Sequence, residues 1–156
     1  MATQVKFYYR NTHKTHLIET VITSIVDAVS TLIELPNSLE ICLYDLPNEV
    51  YGGVDKNIYY RIGINSTLQA NEIPTILVHE LIHVNQRHTK LLEIKQGVYY
   101  WRGIPYYNKP PDQIDYDEYK NCPWEIDVDN RVNKLLTEAL ELANKKHLAK
   151  LDNKSG

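Results

Sequence analysis

Residues 72–88 read Glu72-Ile73-Pro74-Thr75-Ile76-Leu77-Val78-His79-Glu80-Leu81-Ile82-His83-Val84-Asn85-Gln86-Arg87-His88. Asn71 or Glu72 opens a helix here. Pro74 falls in its first turn, where the missing N–H costs nothing, and the segment runs to about His88. Within it stands His79-Glu80-Leu81-Ile82-His83, an HExxH pattern. Positions i and i+4 share a helical face, so both imidazoles can reach one metal ion. Neutral imidazole is a good zinc ligand. Glu80 follows the first ligand and points toward the same cleft, where it can hold a water on the metal and take its proton. Such a metal lowers the water's pKa to roughly 7. A solvated helix with two chance histidines is the bland alternative. The apolar flanks, Thr75-Ile76-Leu77-Val78 and Val84, argue against it, because an unpaired buried charge is costly.

A catalytic zinc site needs a third protein ligand and an open fourth position. His88 lies five residues after His83, about 500° around the helix, and so leaves the metal face. It reads as a helix-end histidine favoured by the dipole. Cys122 is a soft donor but also a small apolar residue beside Pro123. Glu125 is the best candidate. It lies in Pro123-Trp124-Glu125-Ile126-Asp127-Val128-Asp129, at the start of a last helix. Glu125 and Asp129 are i and i+4, so one carboxylate can bind zinc while the other accepts the outer N–H of a bound histidine. An acidic first turn that merely complements the dipole is the competing reading.

Outward from these two helices, residues 5–10 alternate as a strand. Residues 15–35 carry apolar side chains at helical spacing, and Pro36 stops them. Residues 39–44 and 57–64 read as strands, with a turn or loop between them at 47–55 containing Gly52-Gly53. Residues 91–100 and 102–107 read as a hairpin about Trp101-Arg102-Gly103. A loop rich in Pro, Asp and Tyr covers 108–121, and the last helix spans 123 to about 146. The order is β-α-β-β-α-hairpin-α. That is an α+β fold, a small mixed sheet packed on an N-terminal helix, the HExxH helix and a C-terminal helix carrying the third ligand. Residues 1–150 form a single domain and 151–156 a frayed tail.

The chain has 156 residues with a net charge of −3. It is long enough for a real core without disulfide staples. No apolar run approaches 18 residues, and no signal peptide is visible, so the expectation is a cytoplasmic protein with no membrane partner. Cys42 and Cys122 then read as two reduced thiols. The mild charge gives nucleic acid no support as a partner. Tyrosine is in excess, 12 against 1 Phe and 2 Trp, and its amphipathic ring suits surfaces and clefts.

HExxH followed by ExxxD on a later helix resembles the gluzincin branch of the zincin metallopeptidases. A closer likeness is to small HExxH proteins of tailed phages and bacteria. It is carried by HELIHVNQ (79–86), by Trp101-Arg102-Gly103, and by the stretch from Tyr119 to Ile126 ending in PWEI, and it covers about residues 72–136. Asp127-Val128 departs from the Glu-Ala common after PWEI in those proteins. The resemblance implies one catalytic Zn2+ on His79, His83 and Glu125, a general base at Glu80 and a supporting carboxylate at Asp129. The expected activity is a zinc metalloendopeptidase acting on a peptide or protein, in a host cytoplasm if a phage encodes it. The alternative is a zincin-like zinc protein with a structural or binding role and no significant turnover. In zincins the strand before the motif helix pairs with extended substrate, a place that residues 57–64 occupy, with Tyr59, Tyr60 and Arg61 as contacts. Tyr106, Tyr107, Tyr116 and Tyr119 are candidates for the oxyanion donor or for substrate contact. Together with Tyr99 and Tyr100, the tyrosines are expected to line a shallow groove.

Overall fold

The computed structural model describes residues 3–10, 16–45, 52–65, 71–107 and 115–155. The fold is α+β. Strand β1 (Gln4–Arg10) leads through helix α1 (His16–Ser30) to β2 (Ser38–Tyr44). A short β3 (Gly52–Val54) and β4 (Arg61–Asn65) precede the motif helix α2 (Ile73–His88). Strands β5 (Leu92–Lys95), β6 (Val98–Trp101) and β7 (Ile104–Tyr107) follow, then α3 (Tyr116–Lys120) and α4 (Pro123–Ser155).

The first sheet has the order β1-β2-β4-β3. Its first three strands are parallel and β3 is antiparallel at the edge. Leu39, Ile41 and Leu43 on β2, with Ile62 and Ile64 on β4, are buried against the helices, as period-2 alternation requires. Ile22, Val26 and Val29 fill the facing side of α1 at helical spacing, and Leu77, Val78 and Leu81 do the same on α2. Val128, Leu135 and Ala139 of α4 complete this core.

Four boundaries differ from the sequence expectation. Helix α1 ends at Ser30 rather than near 35. Ser30 Oγ and Thr31 Oγ1 donate to the carbonyls of Asp27 and Ala28, and such hydroxyl bonds compete with helix continuation. Asn85 Nδ2 then holds the carbonyl of Glu34 at 2.9 Å, tying the following segment to α2. The strand expected over 57–64 begins only at Arg61, because Asp55 Oδ1 accepts from the N–H groups of Asn57 and Ile58 and turns the chain there. The expected two-stranded hairpin is a three-stranded meander. Gln96-Gly97 and Arg102-Gly103 each form a left-handed two-residue turn, with φ of 53° and 79°, and 51° and 83°, the geometry that matches strand twist. Lastly, α4 runs to Ser155 rather than stopping near 146 and fraying. Its end is rich in Lys, Leu and Ala and has no Gly or Pro before Gly156, so nothing breaks the helix. Of the loop expected at 108–121, residues 108–114 lie outside the described ones, and the remainder forms α3 behind an Asp115 cap.

The second sheet packs through its own small cluster of Leu92, Trp101, Cys122 and Trp124. Cys42 and Cys122 are thiols rather than halves of a disulfide. Among the described residues no helix is long and apolar enough to cross a membrane.

Candidate metal centre

Helix α2 carries His79 and His83 on one face, and the first turn of α4 brings Glu125 against them. The approach is set locally. Asp115 Oδ1 caps α3 by accepting from the N–H of Glu118 at 2.8 Å. The backbone then turns directly into α4, with the N–H groups of Glu125 and Ile126 both donating to the carbonyl of Cys122 at 3.0 Å. Trp124 is buried beside that turn, its ring 5.2 Å from Tyr99.

Glu125 Oε1 lies 3.1 Å from His83 Nε2, and Glu125 Oε2 lies 3.7 Å from His79 Nε2. One donor atom from each of the three residues falls within 4.8 Å of the others. Donors about 2.0–2.2 Å from a shared ion at tetrahedral angles stand roughly 3.3–3.5 Å apart. The observed separations bracket that value, and a His-His-Glu donor set suits zinc. Glu80 is buried beside the trio, 8% exposed, and is not one of the donors.

The electrostatics follow from crowding two carboxylates and two imidazoles out of water. Burial pushes the Glu80 carboxyl up to about 7, with Glu125 adding to the rise and His83 opposing it. Glu125 is also penalised by burial, but the hydrogen bond and charge of His83 and a hydrogen bond from Tyr119 hold it below its ordinary value. Burial pulls His83 down, yet Glu125, Glu80 and Gln86 outweigh it and leave it raised. His79 is lowered by burial and by His83, against Glu125 and Asp129. The shifts of the four groups run in opposed directions because each feels the charge or hydrogen bonds of its neighbours in a partly desolvated cluster.

No family model, curated protein or solved structure matches this chain. The centre therefore rests on its own donor set and on the groups that orient it.

The orienting groups are not those expected. Asp129 is exposed on α4 and acts on His79 only through its charge. The outer nitrogen of His83 is held instead by Gln86, with Nδ1 2.9 Å from Oε1. Gln86 is fully buried. Its amide nitrogen donates to the carbonyl of Trp124 and to Asp127 Oδ2, both at 2.9 Å. Those two acceptors fix the amide, so Oε1 must face the imidazole and Nδ1 must carry the proton. Nε2, 3.1 Å from Glu125 Oε1, then keeps its lone pair, the form in which it can bind a metal ion. Asp127 is held in turn by Arg131, which also binds Asn85. Sequence reasoning missed Gln86, though its spacing of three from His83 puts it on the same face.

A cleft of about 250 Å³ opens beside the donors. Its walls are Gly52 to Val54 of β3, Leu92 and Ile94 of β5, Tyr99 of β6, Tyr119 of α3 and the first turn of α4. The edge strand along it is β3, not the segment with Tyr59, Tyr60 and Arg61. Tyr59 and Tyr60 precede β4, and Arg61 begins β4, which lies between β2 and β3. Tyr59 packs on His88, its hydroxyl 3.2 Å from Nδ1, and Arg61 pairs with Glu40 at 2.8 Å. Gly52 lets β3 approach α2. A Cβ there would stand 2.9 Å from Ile76 Cγ2 and 3.7 Å from Glu80 Cγ.

Of the expected tyrosines, Tyr119 reaches the centre, its hydroxyl donating to Glu125. Tyr99 also lines the cleft. Tyr106 packs edge-on against Trp124 and borders a separate pocket with Cys122. Tyr116 is 72% exposed, and its ring lies under Lys120. Tyr100 faces Lys95. Tyr107 is in β7, and its side chain is outside the described ones. The groove lining expected of the tyrosine excess is thus reduced, among the described residues, to two rings. Cys122 is buried with Sγ donating to the carbonyl of Glu118, away from the donors.

Proposed function

We propose that this protein is a small zinc metallopeptidase of zincin type. One observation carries the reading. Two imidazoles and a carboxylate distant in sequence converge to within 4.8 Å, beside a buried glutamate that is not a donor. A zinc ion bound there supplies a Lewis acid for a peptide carbonyl and the means to acidify a water.

The chain's own groups supply the rest. His79, His83 and Glu125 hold the ion, and Gln86 keeps Nε2 of His83 directed at it. Tyr119 donates to Glu125 and so holds that carboxylate in place. Glu80 takes the proton of the attacking water at its carboxylate and passes it to the nitrogen of the departing amine. Burial raises its carboxyl to about 7 in the metal-free cleft, and a cation bound beside it would draw it back toward the ionised, proton-accepting form. The main chain of β3, at the sheet edge along the cleft, offers an extended peptide a strand to pair with. A cytoplasmic setting belongs to the same reading and agrees with two cysteines that form no disulfide.

The test is to purify the protein, measure zinc by elemental analysis, and compare Glu80→Gln with wild type on an unstructured protein substrate. Bound zinc with activity lost in the variant supports the proposal. Equal activity, or no bound metal, ends it. A structural zinc is the second reading, favoured by the fact that the centre joins α2 to α4. In that case chelation lowers the melting temperature with no activity to lose.

A further inference from the structure

The cleft is lined by groups of opposite charge: Glu80, His83 and Glu125 of the centre, and the cations Arg87 and Lys56. Arg87 follows His83 by four residues. It therefore sits on the same face, about 6 Å further along the helix axis.

Arg87 is half-buried, and its close contacts are with neutral groups while Asp55 acts on it through charge. Its Nη2 donates to the backbone carbonyl of Lys56 at 3.1 Å, and its guanidinium lies 5.9 Å from the Tyr59 ring centroid. Among the described residues no carboxylate pairs with it. Asp55, whose charge it feels, spends Oδ1 on the backbone N–H groups of Asn57 and Ile58. The Lys56 ammonium sits 5.8 Å from the centroid of the Tyr99 ring, and both residues line the cleft with Arg87. The Arg87 guanidinium remains within reach of water, so its charge is available to a ligand in the cleft, and its planar fork matches a carboxylate. The cleft presents it to whatever binds at the metal centre.

We infer that Arg87, assisted by Lys56, is a carboxylate-binding subsite, so that the substrate is a peptide with an acidic group close to the bond cleaved. The inference rests on the peptidase reading and specifies its substrate class. An extended peptide advances about 3.4 Å per residue. An offset of about 6 Å therefore places the carboxylate within about two residues of the scissile bond. The group is either an Asp or Glu side chain or the free C-terminus of the substrate.

The experiment presents zinc-loaded wild-type protein with a randomised peptide library, once with blocked and once with free C-termini, and sequences the products. Acidic residues are expected to be enriched about tenfold or more at one position within two residues of the cut, the scale of one hydrogen bond to a charged group. Cleavage confined to the ends of the free-acid peptides assigns the subsite to the terminal carboxylate. In Arg87→Gln, which keeps a donor for the Lys56 carbonyl but loses the charge, the preference disappears. In Arg87→Lys part of it remains. A second arm measures binding of Glu-fixed and Gln-fixed sublibraries to zinc-loaded Glu80→Gln protein by calorimetry. Cleavage without acidic preference, or a preference that survives in Arg87→Gln, overturns the inference and leaves the peptidase reading standing. Acid-selective, Arg87-dependent binding without cleavage by wild type keeps the subsite and overturns the peptidase reading. Neither cleavage nor binding overturns both.

Discussion

His83 and Gln86 are joined across one turn of α2, with Nδ1 2.9 Å from Oε1, and Gln86 has no freedom to reverse its amide because Trp124 and Asp127 claim its nitrogen. This single contact selects the tautomer of the more buried histidine. Outer partners of metal-binding histidines typically govern affinity by 10–100-fold. Gln86→Leu is therefore expected to weaken zinc binding by about that range, measured by competition with a chromogenic chelator. Asp129→Ala, at an exposed position outside the contact, is expected to change it far less. The reverse order would show that Gln86 does not orient the ligand.

Gly52 sets how closely the edge strand lies over the motif helix. A side chain there meets Ile76 Cγ2 at 2.9 Å and the Gly63 carbonyl oxygen at 3.1 Å. The second contact is with backbone of the neighbouring strand and cannot swing aside. Gly52→Val is expected to cost about 1–3 kcal/mol in denaturant unfolding, the usual size of an overpacking penalty. It should also raise KM for peptides, since β3 is pushed off the cleft. Wild-type stability and KM would show that β3 can shift without consequence.

Tyr119 and Glu125 provide a further handle. The Tyr119 hydroxyl is held well above its usual pKa by burial and by the neighbouring Glu125 carboxylate, to which it donates. Tyr119→Phe removes that donor and leaves Glu125 with one partner fewer. Zinc affinity is expected to fall by about tenfold, at the lower end of the range for groups that orient metal ligands. A fall in kcat at saturating zinc, with affinity intact, would instead assign the hydroxyl to the oxyanion.

The parts legible in the sequence were those governed by local periodicity. The HExxH spacing, the apolar stripe of α1 and the alternation of β2 each follow from a rule applied within one element. What escaped was fixed by contacts between elements. Asp127 and Asp129 are both acidic residues of the first α4 turns, and only the packing of α4 on α2 turns Asp127 toward Gln86 and leaves Asp129 in solvent. The run at 57–64 has strand composition, yet the Asp55 turn consumes its first half. Gln96-Gly97 gives little sign of a turn in the sequence, because its first residue is glutamine rather than the asparagine or aspartate that advertises such a hairpin. The cleft edge fell to Gly52–Val54, three residues with too little periodicity to be read at all.

The Asp55 turn gives a prediction that needs no metal. Asp55 Oδ1 accepts from the backbone N–H groups of Ile58 and Asn57, each at 2.8 Å. These bonds hold its carboxyl below the ordinary range against the opposing effect of burial, and Arg61 and Arg87 add to the lowering. The folded protein thus ionises Asp55 at a lower pH than the unfolded chain, where the value is about 3.9. The stability this confers is fully present above the unfolded value and is lost as pH falls through the folded one. Asp55→Ala is expected to melt below wild type by a constant margin down to about pH 5, and the margin should narrow steadily below about pH 4. Asp55→Asn, which keeps an acceptor but no charge, should lose less and without that pH dependence. Thermal unfolding with chelator present throughout makes the comparison independent of metal loss in acid. A margin between wild type and Asp55→Ala that stays constant into strong acid would mean that the ionised carboxylate does not hold the turn.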